Sequence, residues 1–254
     1  MTIAERKASQ LQITRVAVFT FQLIRQNLPG VFALSTMVAV PAGILRYQED
    51  IFPGANIWDP PIALPLAAYM VSASLLAATI VKTLVPDGNG HFPSLKEGFV
   101  AVVSDVLPLS LIAFISGVAV LAGVFLLVIP GLLLGAILVV VVPVRAVERT
   151  SCIRTFARSA ILTRGEYWPI LGLLIASIAI EVTGNLVVNV MMGDAVFAGY
   201  TEDTRSGGTT AIIATAIIDA ATSLIGAAGT AVLYCELRRI KDGPAPRELA
   251  SEFD

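Results

Sequence analysis

The longest uninterrupted apolar segment covers residues 106–144 and predicts a pair of membrane-spanning helices. Its 39 residues contain no ionisable side chain, and its only polar side chains are Ser110 and Ser116. One straight helix of this length would measure about 58 Å, roughly twice the hydrocarbon thickness of a bilayer. The segment must therefore turn back, and Pro130-Gly131 is the expected turn, because backbone in lipid has to satisfy its hydrogen bonds within helices.

The same apolar pattern predicts six membrane spans in total. Each is long enough to cross the hydrocarbon layer once, although the first and fourth are short. The predicted spans cover residues 28–45, 61–85, 107–129, 132–147, 168–192 and 209–234.

Three further stretches, 11–27, 94–105 and 151–163, are amphipathic and predict helices that lie along the membrane interface. In the second stretch, Ser94 and Glu97 have the spacing of a capping box. In the third, Arg154 and Arg158 share one face. The other face carries apolar side chains: Ile153, Phe156, Ala160 and Ile161.

The order of these stretches predicts a threefold repeat. Each amphipathic stretch meets an apolar residue followed by proline, and a membrane hairpin follows: Leu28-Pro29, Leu107-Pro108 and Trp168-Pro169. Proline suits the first turn of a helix, where its missing N–H is not needed. The predicted units are 11–85, 94–147 and 151–239.

The predicted fold is therefore an all-α integral membrane protein. It has six transmembrane helices arranged as three hairpins, each preceded by a cytoplasmic interfacial amphipathic helix. One membrane domain covers residues 11–242, and we expect disordered tails at 1–10 and 243–254.

The charge distribution predicts the orientation of these spans. Charged residues make up 14% of the chain, against about a quarter in soluble domains. Of the 17 Lys and Arg residues, only Arg46 and Arg205 fall in the 1–2 and 5–6 loops. Both termini are therefore expected in the cytoplasm, with the protein in the cytoplasmic (inner) membrane. The N-terminal segment lacks the pattern of a cleavable signal peptide.

The residues capable of metal or covalent chemistry are few. Cys152, Cys235 and the single histidine, His91, have no metal-ligand neighbour at useful spacing. The chain has no nucleophile–base arrangement and no phosphate-cradling glycine loop. We therefore expect reduced structural thiols, no metal or cofactor, no nucleic-acid partner and no enzymatic activity.

Two stretches carry a resemblance to a known family. Residues 143–149 read PVRAVER, and residues 155–165 read TFARSAILTRG. This pattern resembles that of a bacterial six-helix family, in which a span ends in Pro and Glu and is followed by Arg-Ser and Leu-Thr-x-Gly. The turn 129–131 (IPG) and the closing 233–238 (LYCELR) are also similar.

The family is the membrane domain associated with some glycerophosphoryl diester phosphodiesterases, together with stand-alone relatives of unknown function. The resemblance covers about residues 10–242 and implies a fold rather than an activity. The family's catalytic domain is a separate soluble barrel. We expect no room for it in these 254 residues, so the enzymatic part of the family name does not transfer.

Two acids fall at membrane depth in the predicted spans. Glu181, Asn185 and Asn189 share one face of the fifth span, and Asp219 and Ser223 share one face of the sixth. An isolated acid at the bilayer centre costs about 3 kcal/mol on the insertion scale. These groups are therefore expected to face the bundle or to be protonated. They form a polar seam that joins two helices, or they form a proton- or cation-linked site or the polar floor of a substrate cavity, unless a span boundary is misplaced.

A cluster of arginines surrounds the third amphipathic stretch: Arg145, Arg149, Arg154, Arg158 and Arg164. Such a cluster attracts anionic lipid headgroups by about 1 kcal/mol per charge. The alternative is that these arginines only set the membrane topology, as cytoplasmic Lys and Arg residues generally do.

Two functions follow from these patterns. The first is a non-enzymatic accessory or structural protein of the cytoplasmic membrane, with a role in envelope lipid handling. The alternative is a small transporter or lipid-translocating protein that uses the region around Glu181 and Asp219. Membrane lipids are the expected partners, and a protein partner or a homo-oligomer stays open.

Overall fold

The computed structural model describes residues 13–26, 28–46, 59–86, 91–191 and 205–243. Within these ranges every regular element is an α-helix, as the sequence predicts. The ten helices are α1 Ile13–Gln26, α2 Leu28–Arg46, α3 Pro60–Leu84, α4 Leu95–Val103, α5 Val106–Leu126, α6 Val128–Leu138, α7 Val141–Glu148, α8 Cys152–Thr163, α9 Tyr167–Met191 and α10 Arg205–Asp242. The tail predicted at 1–10 lies outside the described residues, as does the tail predicted at 243–254 except for Gly243.

Five segments of the described chain are long and apolar enough to cross a membrane: Leu64–Leu84, Val106–Leu126, Val128–Glu148, Tyr167–Gly184 and Ala216–Asp242. A sixth crossing is reached if α1 and α2, whose axes differ by 100°, count as one broken span. The protein therefore has the composition of a multi-pass membrane protein with five or six spans.

The turn in the long apolar segment lies three residues before the predicted position. Leu127 breaks the helix with extended backbone (φ −159°, ψ 122°), and Pro130 and Gly131 lie in the first turns of α6. Proline is tolerated there because the first N–H groups of a helix have no partner within it. The prediction of a turn at Pro130-Gly131 is therefore wrong in detail.

Gly131 instead sets the distance between α5 and α6. A Cβ built on Gly131 would lie 2.2 Å from the backbone nitrogen of Val124. One turn further on, a Cβ on Gly135 would meet the Val120 side chain at 3.7 Å. The pairing of 131 with 124 and of 135 with 120 means that the two helices pack antiparallel.

Helix α10 lies at the centre of the bundle. It packs against α1, α2, α3, α7, α8 and α9. Its buried face has two small residues, Ala228 and Ala231, followed by two large ones, Tyr234 and Leu237. Small residues allow close approach of helices in a membrane, where packing drives association.

Several polar contacts bring the ends of different helices together at one end of the bundle. They are the ion pairs Arg149–Asp105 (3.3 Å) and Arg15–Glu236 (3.7 Å) and the hydrogen bond from Lys241 to the Arg164 carbonyl (2.8 Å). We call this the basic end; it comprises α1, α4, α8 and residues 234–242 of α10. The predicted amphipathic stretches correspond to α1, α4 and α8.

Candidate functional site

The two intramembrane acids lie at the same level of the bundle. A Cβ on Gly184 of α9 would lie 3.1 Å from the Ile218 side chain of α10, so the two helices touch there. Glu181 is one turn before Gly184, and Asp219 follows Ile218 directly. Both carboxylates also interact electrostatically with Tyr69 on α3. Three helices therefore contribute one ionisable side chain each to this region.

The surroundings of the two acids differ. Asp219 is 5% exposed, whereas Glu181 is exposed on the surface of the isolated chain. Ser223 is half-buried one turn after Asp219. Asn185 and Asn189 are part of α9, but their side chains lie outside the described residues. Two carboxyls and a phenol can form a hydrogen-bonded seam, or they can hold a proton or a cation.

A second polar cluster lies at the basic end and centres on Arg158. Its Nε donates a hydrogen bond to Glu148 Oε1 at 3.1 Å, and Tyr234 Oη donates to the same oxygen at 3.3 Å. Arg158 Nη2 also pairs with Asp242. Burial lowers the pKa of the Arg158 guanidinium, but the hydrogen bonds to Asp242 and Glu148 outweigh it and the net pKa is raised. Arg158 thus joins the end of α7 to the end of α10.

A third cluster joins α1 to α10. Glu236, 9% exposed, pairs with Arg15 at 3.7 Å and with Arg239 at 2.7 Å. The Arg15 guanidinium also lies 5.7 Å from the centre of the Phe19 ring. These contacts fix α1 against the last turns of α10.

The five arginines of the predicted lipid-contact cluster have different surroundings. Arg145 donates to the Thr150 carbonyl, Arg149 pairs with Asp105, and Arg158 is engaged as described above. Arg154 and Arg164 are exposed, and neither forms an ion pair with another described residue. These two guanidiniums are the members of the cluster most open to headgroups.

Helix α8 turns three small polar side chains and Leu162 towards the bundle, and it turns Ile153 and Ile161 away from it. Thr155, Ser159 and Thr163 are fully buried, and Ser159 Oγ donates to the Ile137 carbonyl at 2.6 Å. Ile153 and Ile161 are 84% and 55% exposed. The two exposed isoleucines therefore form an apolar surface that no other described residue of the chain covers.

The motifs that carry the family resemblance correspond to structural contacts at the basic end. Glu148, Arg158 and Tyr234 form one cluster, and Glu236 forms another. Gly165 has φ +89°, a left-handed conformation that glycine adopts without strain after a helix end. The motifs thus contain residues through which α8 contacts the ends of α7 and α10.

Several members of these clusters were not predicted from the sequence, among them Tyr69, Glu148, Tyr234 and Asp242. Glu148 and Tyr234 lie in the quoted motifs, so their positions near span ends were the available signal. Tyr69 and Asp242 carry no such signal, because their partners are distant in sequence.

A cavity of about 180 Å³ lies between α2, α3 and α4. Leu34 and Met37 of α2, Ala68 and Ser72 of α3, and Phe99 of α4 are among its lining residues. Neither Glu181 nor Asp219 lines it. This cavity, called the α2–α3 groove below, is therefore separate from the intramembrane acids.

The described part of the chain contains no group of three His, Cys, Asp or Glu side chains placed to hold a metal ion. Comparison of the sequence and fold with family models, curated proteins and solved structures finds no match. The functional assignment therefore rests on the residues and contacts described above.

Proposed function

We propose that the protein is a non-enzymatic accessory protein of the cytoplasmic membrane that takes part in envelope lipid handling. In this proposal six spans form three hairpins, each preceded by an interfacial helix on the cytoplasmic side, and both termini are cytoplasmic. The positive-inside distribution of Lys and Arg supports the orientation. The motif resemblance to the six-helix domain found with some glycerophosphoryl diester phosphodiesterases supports a bacterial inner membrane.

The observation that carries the proposal is the orientation of α8. Ile153 and Ile161 point away from the bundle, and the exposed Arg154 and Arg164 lie on or directly after the same helix. Isoleucines in the acyl region and arginines among the phosphates are the arrangement of an interfacial helix. The buried face of α8, which contains Leu162 as well as Thr155, Ser159 and Thr163, holds the helix against the spans, so the contact with lipid has a fixed position.

The test compares the anionic lipid that co-purifies with two charge-matched double variants. The full chain is extracted from membranes in polymer-bounded discs, and the ratio of phosphatidylglycerol to phosphatidylethanolamine is measured. Arg154→Gln with Arg164→Gln is expected to lower the ratio. At about 1 kcal/mol per charge, the affinity for an anionic headgroup falls roughly fivefold for each substitution.

The control, Arg46→Gln with Arg205→Gln, removes the same charge on the proposed outer side and is expected to leave the ratio unchanged. An equal fall in both double variants would mean that net charge alone recruits the lipid. No fall in either would defeat the role of α8 in lipid contact.

A second function, a small transporter or lipid-translocating protein, is favoured by the convergence of Tyr69, Glu181 and Asp219. Its test is proton or cation flux into vesicles that contain the purified chain. On this proposal Glu181→Gln and Asp219→Asn abolish flux, whereas Glu166→Gln, the same change as the first but outside the membrane interior, does not. Wild-type vesicles that leak no faster than empty ones would exclude ion-coupled transport.

A further inference from the structure

The α2–α3 groove has apolar walls. Its lining belongs to helices α2, α3 and α4, and Leu64–Leu84 of α3 is one of the candidate spans. The Ser72 hydroxyl is bonded to the Ala68 carbonyl of its own helix at 2.7 Å, so it presents no free donor to the groove. With a volume of about 180 Å³, the groove is smaller than the roughly 300 Å³ of a typical drug-sized pocket. Its size suits a segment of a chain rather than a whole ligand.

The groove extends from the point where α4 crosses α3 towards the middle of α3. A Cβ on Gly98 would lie 3.3 Å from the Thr79 carbonyl, so α4 crosses α3 close to its basic end. Phe99 comes from this crossing helix, whereas Ala68 lies 11 residues before Thr79. At about 1.5 Å per residue, the groove runs roughly 16 Å from the crossing towards the membrane interior.

Helix α4, which contributes Phe99 to the groove, also carries an exposed cation. Lys96 is exposed and is three residues before Phe99, so the two side chains share a face of α4. The neighbouring acid, Glu97, is turned to the helix start, where it accepts from the Ser94 N–H at 2.8 Å and lies 3.6 Å from His91. The face of α4 that contributes Phe99 to the groove therefore also presents an exposed lysine.

We propose that the α2–α3 groove holds one acyl chain of an anionic phospholipid, with the phosphate of that lipid beside Lys96. The inference deepens the proposed function and rests on the membrane placement stated there. A bilayer is as apolar as the groove, so the gain comes from dispersion contacts with fixed concave walls and from the charge at Lys96. Ala68 and Ser72 form the floor on which one face of the chain packs.

The experiment uses the full chain in vesicles of phosphatidylethanolamine and phosphatidylglycerol, with a trace of phosphatidylglycerol that carries a diazirine in its acyl chain. After illumination, the labelled residues are mapped by mass spectrometry. We expect label on α2 and α3 around Met37 and Ala68 that saturates with the probe and is competed by unlabelled phosphatidylglycerol. Label on the lipid-facing surface of α5, where Phe125 is 92% exposed, should rise linearly without saturation.

Two matched variants test the position of the chain. Ala68→Phe fills the groove and is expected to remove the saturable label. Ala67→Phe adds the same atoms one residue away, outside the lining residues, and should leave the label intact. If Ala68→Phe does not give a monodisperse helical protein, Ser72→Phe, one turn along the same face, takes its place. If neither variant folds, the test is whether unlabelled phosphatidylglycerol competes for the groove label in the wild-type chain.

The outcomes separate this proposal from the one on which it rests. Absence of label on both α5 and the groove would defeat the membrane placement itself. Label on α5 but none in the groove would overturn the acyl-chain site alone. Groove label that never saturates, or that survives Ala68→Phe unchanged, would reduce the site to ordinary boundary lipid.

Discussion

Replacing Gly131 by alanine is expected to force α5 and α6 apart. A Cβ at residue 131 would lie 2.2 Å from the Val124 nitrogen and 2.5 Å from its Cα, whereas ordinary contact begins at 3.4 Å. Both neighbouring atoms belong to the backbone, so no side-chain rotation can relieve the clash. The helices must separate locally by about 1.2 Å, the difference between 3.4 and 2.2 Å.

The cost of this separation follows from the lost contacts. A gap of about 0.5–1 Å removes a quarter to a half of the dispersion energy between facing atoms. Overpacking typically costs about 1–3 kcal/mol, and in a membrane packing supplies most of the attraction between helices. We therefore expect Gly131→Ala to lower the free energy of unfolding by about 3 kcal/mol.

Two other glycines provide controls. Gly117 on α5 has no heavy atom within 4 Å of a built Cβ, so Gly117→Ala should raise the stability by about 0.5–1 kcal/mol through the lower entropy of the unfolded chain. A Cβ on Gly135 meets only side-chain carbons at 3.7 Å, so Gly135→Ala should be close to neutral.

The assay is unfolding of the purified chain in mixed micelles by increasing sodium dodecyl sulfate, followed by far-ultraviolet circular dichroism. The expected order of midpoints is Gly117→Ala, then wild type and Gly135→Ala, then Gly131→Ala. A Gly131→Ala protein as stable as Gly117→Ala would refute the close antiparallel packing of α5 on α6.

Three further predictions concern the basic end and the topology. Arg158→Gln should lower the free energy of unfolding by about 2 kcal/mol, because Glu148 and Asp242 lose a charged partner whose side chain is only 26% exposed. The matched Arg154→Gln, at an exposed position on the same helix, should change it by less than about 0.5 kcal/mol, and equal effects would contradict the network. The pKa of Glu97 is lowered, chiefly by the hydrogen bond from the Ser94 backbone. The capping interaction is therefore present above the ordinary pKa of 4.5 and is lost as the pH falls through the lower pKa of the folded protein. Amide exchange at the start of α4 should accelerate there in the wild type but not in Glu97→Gln, and an equal response in both would refute the assignment to this carboxyl. Single cysteines at Trp58 and Thr204 should react with a membrane-impermeant reagent on intact cells, whereas one at Ser251 should not; reaction at Ser251 would reverse the proposed orientation.

Local features of the fold were predictable from the sequence because they depend on neighbouring residues. The capping box of Ser94 and Glu97 is confirmed, with hydrogen bonds of 3.4 and 2.8 Å in the two directions. The apolar runs likewise locate the spans, because lipid imposes a minimum length and excludes charge. The capping box depends on two residues three positions apart, and a span depends on the length of one apolar run. Both features therefore lie within one segment of the sequence.

The turn at Pro130-Gly131 was misplaced because proline and glycine each have two uses. Proline in the interior of a helix breaks or kinks it, whereas proline in the first turn is tolerated. Pro130 lies in the first turn of α6. Glycine permits a turn but also permits close packing, and the short distance to Val124 shows that Gly131 serves packing. The sequence of one segment does not show how closely another helix packs against it.

The cluster around Arg158 was beyond sequence reasoning for a different reason. Arg158 and Asp242 are 84 residues apart, and Glu148 and Tyr234 are 86 apart. Arginine beside an amphipathic helix favours headgroup contact as readily as an internal ion pair. Only the docking of α8 between α7 and α10 decides between them, and the same holds for the proximity of Tyr69 to the two acids.

The central position of α10 has a consequence for the biogenesis of the protein. Helices α2 and α3 bury Val38 and Ile80 in the same core cluster as α10, which the ribosome makes after the other described helices. From Arg46 to Asp242 there are 196 residues, so at about 5–20 residues per second the first spans wait roughly 10–40 s for their partner. During that interval their inner faces are bounded by lipid or by the insertion machinery. A ribosome that stalls before α10 therefore leaves a chain without the core residues that α10 supplies, among them Ala228, Ala231 and Tyr234.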